Sequence, residues 1–430
     1  LFFLALNSIS ITQFLMFLPQ WQSSNVLYII PYGLIHLFVS FLVCVFSFFF
    51  FVLLRGIMIN LLGVYLYNKI SVYIRAIFLI ITSTMLLIYL KAIFEGFENL
   101  AIFQNLDTTS LSIQEFAKYF PPIWFTALYE RLLGNSDLPI IFSSSYALRG
   151  LFVMVVVLIL ITFLSKRRYM KNIGISRKKW SPNKHLTQIS KTILNKVILI
   201  NPIQRAIFYF YQKSIKGSIV HKMRLYIYIA LALSLILIQF ISHGVLLSSS
   251  LRMTRTFVSI PLIISVFLIL GIRNISGVPI SIDANWIFMI TEKRKLWHYF
   301  SGYWKSIVFT NLIPVFLIIL LINLFFWDFK SSFLYCAYGL LVALLFLEIH
   351  LISWHKIPFA CTYLPGKEKI QLYWSIYIIL YVVYINFFSW LGSELLKNSQ
   401  HFLYFILFLS VIILSIRFLN YFYTQKKFRL

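Results

Sequence analysis

The sequence predicts an all-α, polytopic membrane protein with about ten transmembrane helices and additional amphipathic helices at the membrane interface. Its composition is the first reason. Of the 430 residues, 60% are hydrophobic and only 12% are charged, and the mean hydropathy of +0.87 is too high for a soluble globular protein. The second reason is that apolar runs long enough to cross a bilayer recur along the whole chain.

The apolar runs place the individual spans and divide the chain. The ten predicted spans are 1–18, 28–54, 73–93, 148–164, 225–243, 256–272, 306–326, 332–353, 371–392 and 401–419. Residues 55–72 are half polar, so we expect an interfacial segment there. The predicted parts are an N-terminal membrane part (1–164) with an outer region (95–147), a basic cytoplasmic segment (165–224), and a C-terminal membrane part (225–430) that contains a cytoplasmic amphipathic helix (279–305).

The distribution of basic residues predicts the orientation. If successive spans alternate in direction, 30 of the 38 Lys and Arg residues fall on one side of the membrane, and eight of the 12 acidic residues fall on the other. Because Lys and Arg are concentrated in cytoplasmic loops, that side and the C-terminus are predicted to be cytoplasmic. The net charge of +26 is therefore a signal of orientation rather than of a nucleic-acid partner.

The basic segment 165–224 contains fifteen Lys and Arg residues and no acid. Its aromatic run, 208–211, lies beside Arg205 and Lys213 and allows an interpretation as a nucleic-acid surface. A basic segment tethered beside anionic membrane lipids has the same composition. We favour the lipid interpretation and expect no nucleic acid among the partners.

The stretch 271–305 is neither an ordinary span nor an ordinary loop. Gly277 and Pro279 end the preceding helix, and apolar residues then recur at helical spacing from Ile282 to Trp304, with Gly302 leading into the next span. The stretch is either an interfacial anchor or the element through which a soluble partner pushes on the membrane domain. The residues predicted to form such a docking surface are Asp283, Asn285, Trp286, Glu292, Lys293, Arg294 and Lys295.

The outer region contains one segment with helix signals, residues 120–134. Pro121 and Pro122 are typical of a helix start, and Gly134 is typical of a helix end. Trp124 and Glu130 lie within this predicted helix. It is interpreted either as a helix packed on the outer membrane surface or as a gate over an exit path.

Glu348 is the single acid inside a predicted span, so it needs a partner or a functional reason. We expect a structural ion pair with Lys356 or a nearby histidine, and the alternative is a residue of a transport pathway. The spacing of Glu348, His350 and His355 matches no zinc-protease motif, and we expect neither a metal nor a cofactor. The next inner loop is predicted to form a rigid turn or a second docking loop, and its marked residues are Pro358, Pro365, Gly366 and Lys367.

Four stretches, in matching order, resemble signatures of bacterial multi-span type-2 ATP-binding-cassette (ABC) exporter permeases. They are FPPIWFTALYERLLG (120–134), RAIFYFYQKSIKGSIVHKMRL (205–225), PISIDANWIFMITE (279–292) and KIPFACTYLPGK (356–367). The resemblance implies a permease in a bacterial cytoplasmic (inner) membrane that works with a separate ABC-type ATPase subunit. The substrates of such permeases vary widely. It also allows pairing of permeases as homodimers or heterodimers.

The resemblance and the residues agree on one function. No GxxxxGK[ST] phosphate-binding loop occurs in the sequence, so nucleotide hydrolysis would come from another chain. The leading hypothesis is thus an exporter permease that is not itself an enzyme. The alternatives are a membrane-embedded enzyme acting on lipid or glycan, and a membrane assembly scaffold. The enzyme alternative is weakened because no Ser/His/Asp set and no pair of carboxylates at one membrane depth stands out.

Overall fold

A computed structural model describes residues 26–95, 121–134, 144–172, 192, 194–242, 254–279, 296–352, 358–359, 374–396 and 399–426. These residues form helices and turns, with no strand among them, which confirms the all-α prediction. Within these ranges, nine helical segments are long and apolar enough to cross a membrane. They correspond in order to the predicted spans from 28–54 onward, whereas the predicted span 1–18 lies outside the described residues. The chain is a multi-pass membrane protein.

The helices are α1 (Val26–Glu95), α2 (Pro121–Leu132), α3 (Ser144–Asn172), α4 (Pro202–Gly217), α5 (Ile219–Ser242), α6 (Arg255–Ser276), α7 (Leu296–Ile307), α8 (Ile313–Asn323), α9 (Phe329–Leu351), α10 (Trp374–Leu395) and α11 (Ser399–Lys426). A π-helical turn, Val308–Leu312, joins α7 to α8, so that the two helices form one span. Pro314 favours this irregularity because it has no N–H to donate to the carbonyl group four residues earlier.

Two segments differ from the sequence prediction in their boundaries. Residues 55–72, predicted as a separate interfacial segment, are helical and belong to α1. This element consists of two helices that meet at a kink at Gly63 (φ 74°), and it contains two of the spans, Gly33–Gly63 and Ile70–Ile88. Gly302, predicted to join an amphipathic helix to the next span, lies in the middle of α7. The reason is tertiary packing rather than helix propensity, because the residues around Gly302 are buried and Gly302 lies against the Gln204 backbone. Residues 280–295 of the predicted amphipathic helix lie outside the described residues.

The chain divides into two compact units, 1–71 with 105–179 and 72–104 with 180–430. In the first unit, α2 and α3 pack with the first part of α1. The buried side chains of this core are Val39, Phe46, Phe125, Leu128 and Ala147. Gly150 permits the close approach of α3 to α2, because a Cβ atom there would lie 2.8 Å from the indole ring of Trp124.

In the second unit, α6 and α9 are the central helices. In each, 61% of the residues of the apolar window are buried, against 11% in α10 and in α11. Gly339 of α9 lets the helices meet closely, because a Cβ atom there would lie 2.9 Å from the Phe316 ring and 3.1 Å from Pro261. The exposed apolar side chains of α10 and α11 are suited to lipid, which is as apolar as they are.

Successive spans of the second unit alternate in direction. The helices α6, α9 and α11 therefore finish at the end where α5 and α7 begin. Contacts agree with this arrangement: His221 near the start of α5 donates to the carbonyl oxygen of Val278 (3.1 Å), just after α6. We call this the α4 end, because the short helix α4 lies there against α7.

Candidate functional site

Helix α4 is a short amphipathic helix that precedes α5. Its start is fixed locally, because Pro202 occupies the first turn and the side chain of Asn201 accepts a hydrogen bond from the backbone N–H of Ile203 (2.9 Å). Its buried face consists of Gln204, Ile207, Phe208, Tyr211 and Ser214. Phe208 and Tyr211 are thus packed inside the protein. These two of the four rings of the aromatic run 208–211 are not free to stack on nucleic-acid bases.

Three residues on one face of α7 hold α4. His298 Nδ1 lies 3.3 Å from the Asn201 amide nitrogen, and Lys305 Nζ donates to both the Ile198 carbonyl and Gln204 Oε1, each at 2.7 Å. Between them, Gly302 lets the two backbones touch, because a Cβ atom there would lie 2.9 Å from the Gln204 carbonyl oxygen. The spacing of His298, Gly302 and Lys305 places them on adjacent turns of one helix face.

Phe359, in the loop after α9, lies at the α4 end. Its side chain is buried, with 1% exposed, and its backbone N–H donates to the carbonyl oxygen of Ser276, the last residue of α6 (2.7 Å). Its ring packs against those of Tyr211 (5.8 Å between centroids) and His221 (5.3 Å). Phe359 thereby joins the loop to α4, α5 and α6.

The backbone of Phe359 has a positive φ of 64°, which is rare for a residue with a bulky side chain. Such a conformation costs about 1–3 kcal/mol and persists only where the surroundings enforce it. Here the surroundings are the buried ring and the hydrogen bond to Ser276. The position is thus specified by tertiary contacts rather than by local preference.

Polar contacts extend from Tyr211 and Tyr303 into the span. The Tyr303 hydroxyl donates to Ser276 Oγ (2.8 Å), and the Asn311 side chain, in the π-helical turn, donates to the Tyr211 hydroxyl (2.8 Å). Burial raises the pKa of the Tyr211 phenol well above its usual value, so its hydroxyl stays protonated. The α4 helix is therefore bonded to the part of the span where the regular helix is interrupted, a feature often found at functional sites.

A second group of contacts surrounds Glu348 of α9, whose side chain is fully buried. Glu348 Oε1 lies 3.5 Å from Nη1 of Arg417, and Oε2 accepts from the Asn420 side chain at 3.1 Å. The Arg417 guanidinium also lies over the Trp304 ring, 3.9 Å from its centroid. The buried acid thus has a cation and an amide donor, as a charge in a span requires. These contacts join α7, α9 and α11.

Arg417 and Asn420 were not among the predicted partners of Glu348, and the predicted pairing with Lys356 or His355 stays a prediction. Lys356 and His355 lie outside the described residues, and His350 faces different groups. Its Nδ1 donates to the Phe346 carbonyl oxygen (3.0 Å), and its Nε2 lies 3.1 Å from the Tyr381 hydroxyl. The described part of the chain contains no group of three His, Cys, Asp or Glu side chains suited to a metal.

The helix predicted at 120–134 is present as α2, followed by Gly134 with a positive φ of 88°. Pro121 and Pro122 form its first turn, and Trp124 contacts the Phe46 ring edge-on (6.3 Å) and approaches Gly150. Arg131, which follows the half-buried Glu130, donates to Ser144 Oγ at 3.1 Å. These contacts describe a helix packed on α3, while a role as a gate stays a prediction.

The predicted docking residues lie largely outside the described part of the chain. This holds for Asp283, Asn285, Trp286, Glu292, Lys293, Arg294, Lys295, Pro365, Gly366 and Lys367. The exception is Pro358, which is buried next to Phe359. Both predicted docking segments are connected to the described structure at the α4 end. The first is connected at Pro279, after α6, and the second at Phe359, after α9.

Sequence reasoning missed several residues of the site, namely Gln204, Gly302 as a packing residue, Trp304, Phe359, Arg417 and Asn420. A signal existed for the pair in α11: Arg417 is a cation near the end of an apolar run, and Asn420 follows one turn later on the same face. Phe359 has no such signal, since its burial depends on residues that are distant in sequence.

The chain was compared with protein-family models, with characterised proteins and with solved structures, and none of the three comparisons found a match.

Proposed function

We propose that the chain is the membrane-spanning permease subunit of an ATP-driven exporter of the ABC type, which works with a separate ATPase subunit. The proposal includes the bacterial cytoplasmic membrane as its location, with the α4 end and the C-terminus in the cytoplasm. The 30 of 38 basic residues assigned to that side support the orientation.

The observation that carries the proposal is the meeting of two of the family-like stretches at Phe359. Phe359 belongs to the stretch 356–367, while Tyr211 and His221 belong to 205–225, more than 130 residues earlier in the chain. Their rings are in contact. A third family-like stretch begins at Pro279, directly after Val278, whose carbonyl oxygen accepts from His221.

This arrangement suits a subunit that is driven from outside the membrane. A force applied to the loops after Pro279 or Phe359 would reach the ends of α5 and α6 and helix α4 through buried contacts. Helix α4 is in turn bonded to α7, and α7 to α9 and α11 through Trp304 and Arg417. Packed interiors transmit such displacements because they deform little. A scaffold does not require this path from loops to spans.

The test is affinity purification of the tagged chain from its own membranes in mild detergent. We expect an ATPase subunit to be recovered with it, and the purified complex to hydrolyse ATP. Replacement of Trp286, in the docking segment, by Ala should lower recovery of the ATPase. Trp390→Ala, which changes an exposed tryptophan in α10, is the matched control and should not. Recovery of the well-folded chain without any ATPase would overturn the proposal.

A further inference from the structure

Arg255, the first residue of α6, is bonded to the middle of another span. Its Nη2 donates to the backbone oxygen and to the side-chain Oδ1 of Asn386 in α10, each at 3.3 Å. Asn386 lies near the middle of the span Ile376–Leu395, whose 20 residues are about as long as the apolar layer of a membrane is thick. The Arg255 guanidinium therefore lies inside the apolar layer rather than at its surface.

A second contact gives the direction of the Arg255 side chain. A Cβ atom at Gly392 of α10 would lie 2.7 Å from Cγ1 of Val258, so Gly392 and Val258 lie at the same level. Asn386 precedes Gly392 by about 9 Å of helix and is deeper in the membrane. Arg255 precedes Val258 and is nearer the surface. The side chain thus extends inward from the start of α6, whereas an arginine near the end of a span normally extends outward to water.

The inward guanidinium has no acidic partner in the described part of the chain. Arg255 is exposed, and apart from its two bonds to Asn386 its N–H groups donate to no described residue. Glu394, the one acid of α10, lies about 12 Å of helix beyond Asn386. A cation inside the apolar layer is unfavourable without an anion, so this position requires one. The remaining N–H groups of the guanidinium fit a carboxylate or a phosphate.

Exposed apolar side chains continue the site along α10. Val382 and Val383, one turn before Asn386, are 52% and 58% exposed, and Trp390, one turn after it, is 51% exposed. Residues three or four positions apart share one face of a helix, so these side chains form an apolar stripe with Asn386 and the Arg255 guanidinium at its centre. The compound that complements this surface combines an acidic group with an apolar chain.

We propose that Arg255 and Asn386 form a site that binds the acidic group of an amphiphilic compound crossing the membrane, with its chain against the apolar stripe of α10. Arg255 donates to the carboxylate or phosphate, and Asn386 orients the guanidinium through its two oxygens. Resident phospholipids keep their phosphates at the membrane surface, so the depth of the site favours a compound in passage. That assignment rests on the proposed transport function, and it makes acidic amphiphiles the substrate class.

The first experiment measures occupation by photolabelling of the full chain in phosphatidylcholine nanodiscs. The probes are ionised stearate, octadecanol and phosphatidylglycerol, each with a photoreactive diazirine in an apolar chain. We expect stearate to label α10 around Asn386, and octadecanol to label it about tenfold less, because octadecanol offers no charged acceptor to Arg255. Equal labelling by stearate and octadecanol would overturn the site. Labelling by phosphatidylglycerol as strong as that by stearate would indicate a resident lipid and overturn the assignment to a compound in passage.

Variants test the two residues in the same assay. Arg255→Gln should reduce stearate labelling about tenfold. Asn386→Leu should reduce it less, because the backbone oxygen still accepts from Arg255. Arg149→Gln, which changes an exposed arginine near the start of α3, is the matched control and should leave the labelling as it is. Unchanged stearate labelling in Arg255→Gln would overturn the role of the guanidinium.

ATP hydrolysis separates this inference from the proposed function. With an ATPase subunit recovered together with the chain, stearate should stimulate hydrolysis, and Arg255→Gln should require about tenfold more stearate for the same stimulation. A recovered ATPase that stearate does not stimulate would leave the proposed function standing and overturn acidic amphiphiles as its substrates. Labelling that depends on Arg255, in a chain that recovers no ATPase, would support the binding site and overturn its role in transport.

Discussion

The backbone N–H of Phe359 donates a 2.7 Å hydrogen bond to the carbonyl oxygen of Ser276, at the end of α6, while the Phe359 ring contacts those of Tyr211 and His221. A single residue of the loop after α9 thereby connects three segments that are far from it in sequence. Its unusual backbone conformation makes it the most informative position for mutation in the site.

Replacement of Phe359 by Ala should destabilise the protein by about 3–5 kcal/mol, because it leaves a cavity among buried aromatic rings. Thermal unfolding in detergent measures the effect. Phe408→Ala is the matched control, since the Phe408 side chain is exposed on α11 and leaves no cavity. Equal midpoints for the two variants would mean that the Phe359 contacts do not stabilise the junction.

Replacement of Gly302 by Ala should destabilise the contact of α7 with α4 by about 1–3 kcal/mol. The new Cβ atom would overlap the Gln204 backbone, which cannot rotate away as a side chain can. Gly217→Ala is the control, because no atom lies within 4 Å of its expected Cβ position. Proteolysis in the segment before α4 should be faster in Gly302→Ala alone, and unchanged cleavage in both variants would contradict the prediction.

Glu348 and Arg417 should behave as a structural pair. Arg417→Met leaves a buried carboxylate without its cation, at a cost of about 3–5 kcal/mol. The double variant with Glu348→Gln should be less destabilised than the sum of the two single variants, which thermal unfolding in a double-mutant cycle measures.

Transport separates this structural role from a role in a pathway. Glu348→Gln should leave transport largely intact while lowering the unfolding temperature. Glu394→Gln, at an exposed position in α10, is the control. Complete loss of transport with unchanged stability would make Glu348 a pathway residue instead.

The predicted orientation is tested by labelling single cysteines at positions 178 and 135. We expect an impermeant thiol reagent to reach them from opposite sides of the membrane, because the basic segment is predicted to be cytoplasmic and the outer region external. Labelling of both positions from the same side contradicts the topology.

The predicted docking segment is tested by charge reversal at Glu292 and Arg294. We expect weaker recovery of the ATPase and hydrolysis that is no longer coupled to transport, because docking of a soluble subunit depends on complementary charges. The same reversal at Asp328 and Lys330, around the start of α9 at the other end of the unit, is the control. Unchanged recovery and coupling would reduce the segment 279–305 to a membrane anchor.

The sequence was sufficient to predict the class of fold and nine of the spans, because long apolar runs must form helices in a bilayer. It also identified Glu348 as a residue that needs a partner. It could not identify Arg417 as that partner or place Phe359 beside Ser276, since both contacts depend on how distant helices pack. Gly302 was misinterpreted for the same reason: a glycine at a close approach of backbones and a glycine at a helix end look alike in one sequence.

The π-helical turn Val308–Leu312 has a consequence for chain length. One stripe of buried residues in this span consists of Phe300, Tyr303, Ile307, Leu312, Phe316 and Ile319. Its steps are three or four residues except for the step of five from Ile307 to Leu312, where Val308 is buried as well. Removal of one residue there would shorten the step to four, the spacing of a regular α-helix, and both halves would keep the same buried stripe. A single-residue deletion in this turn would therefore leave α7 facing α4 and Arg417. It would break the hydrogen bond between Asn311 and Tyr211.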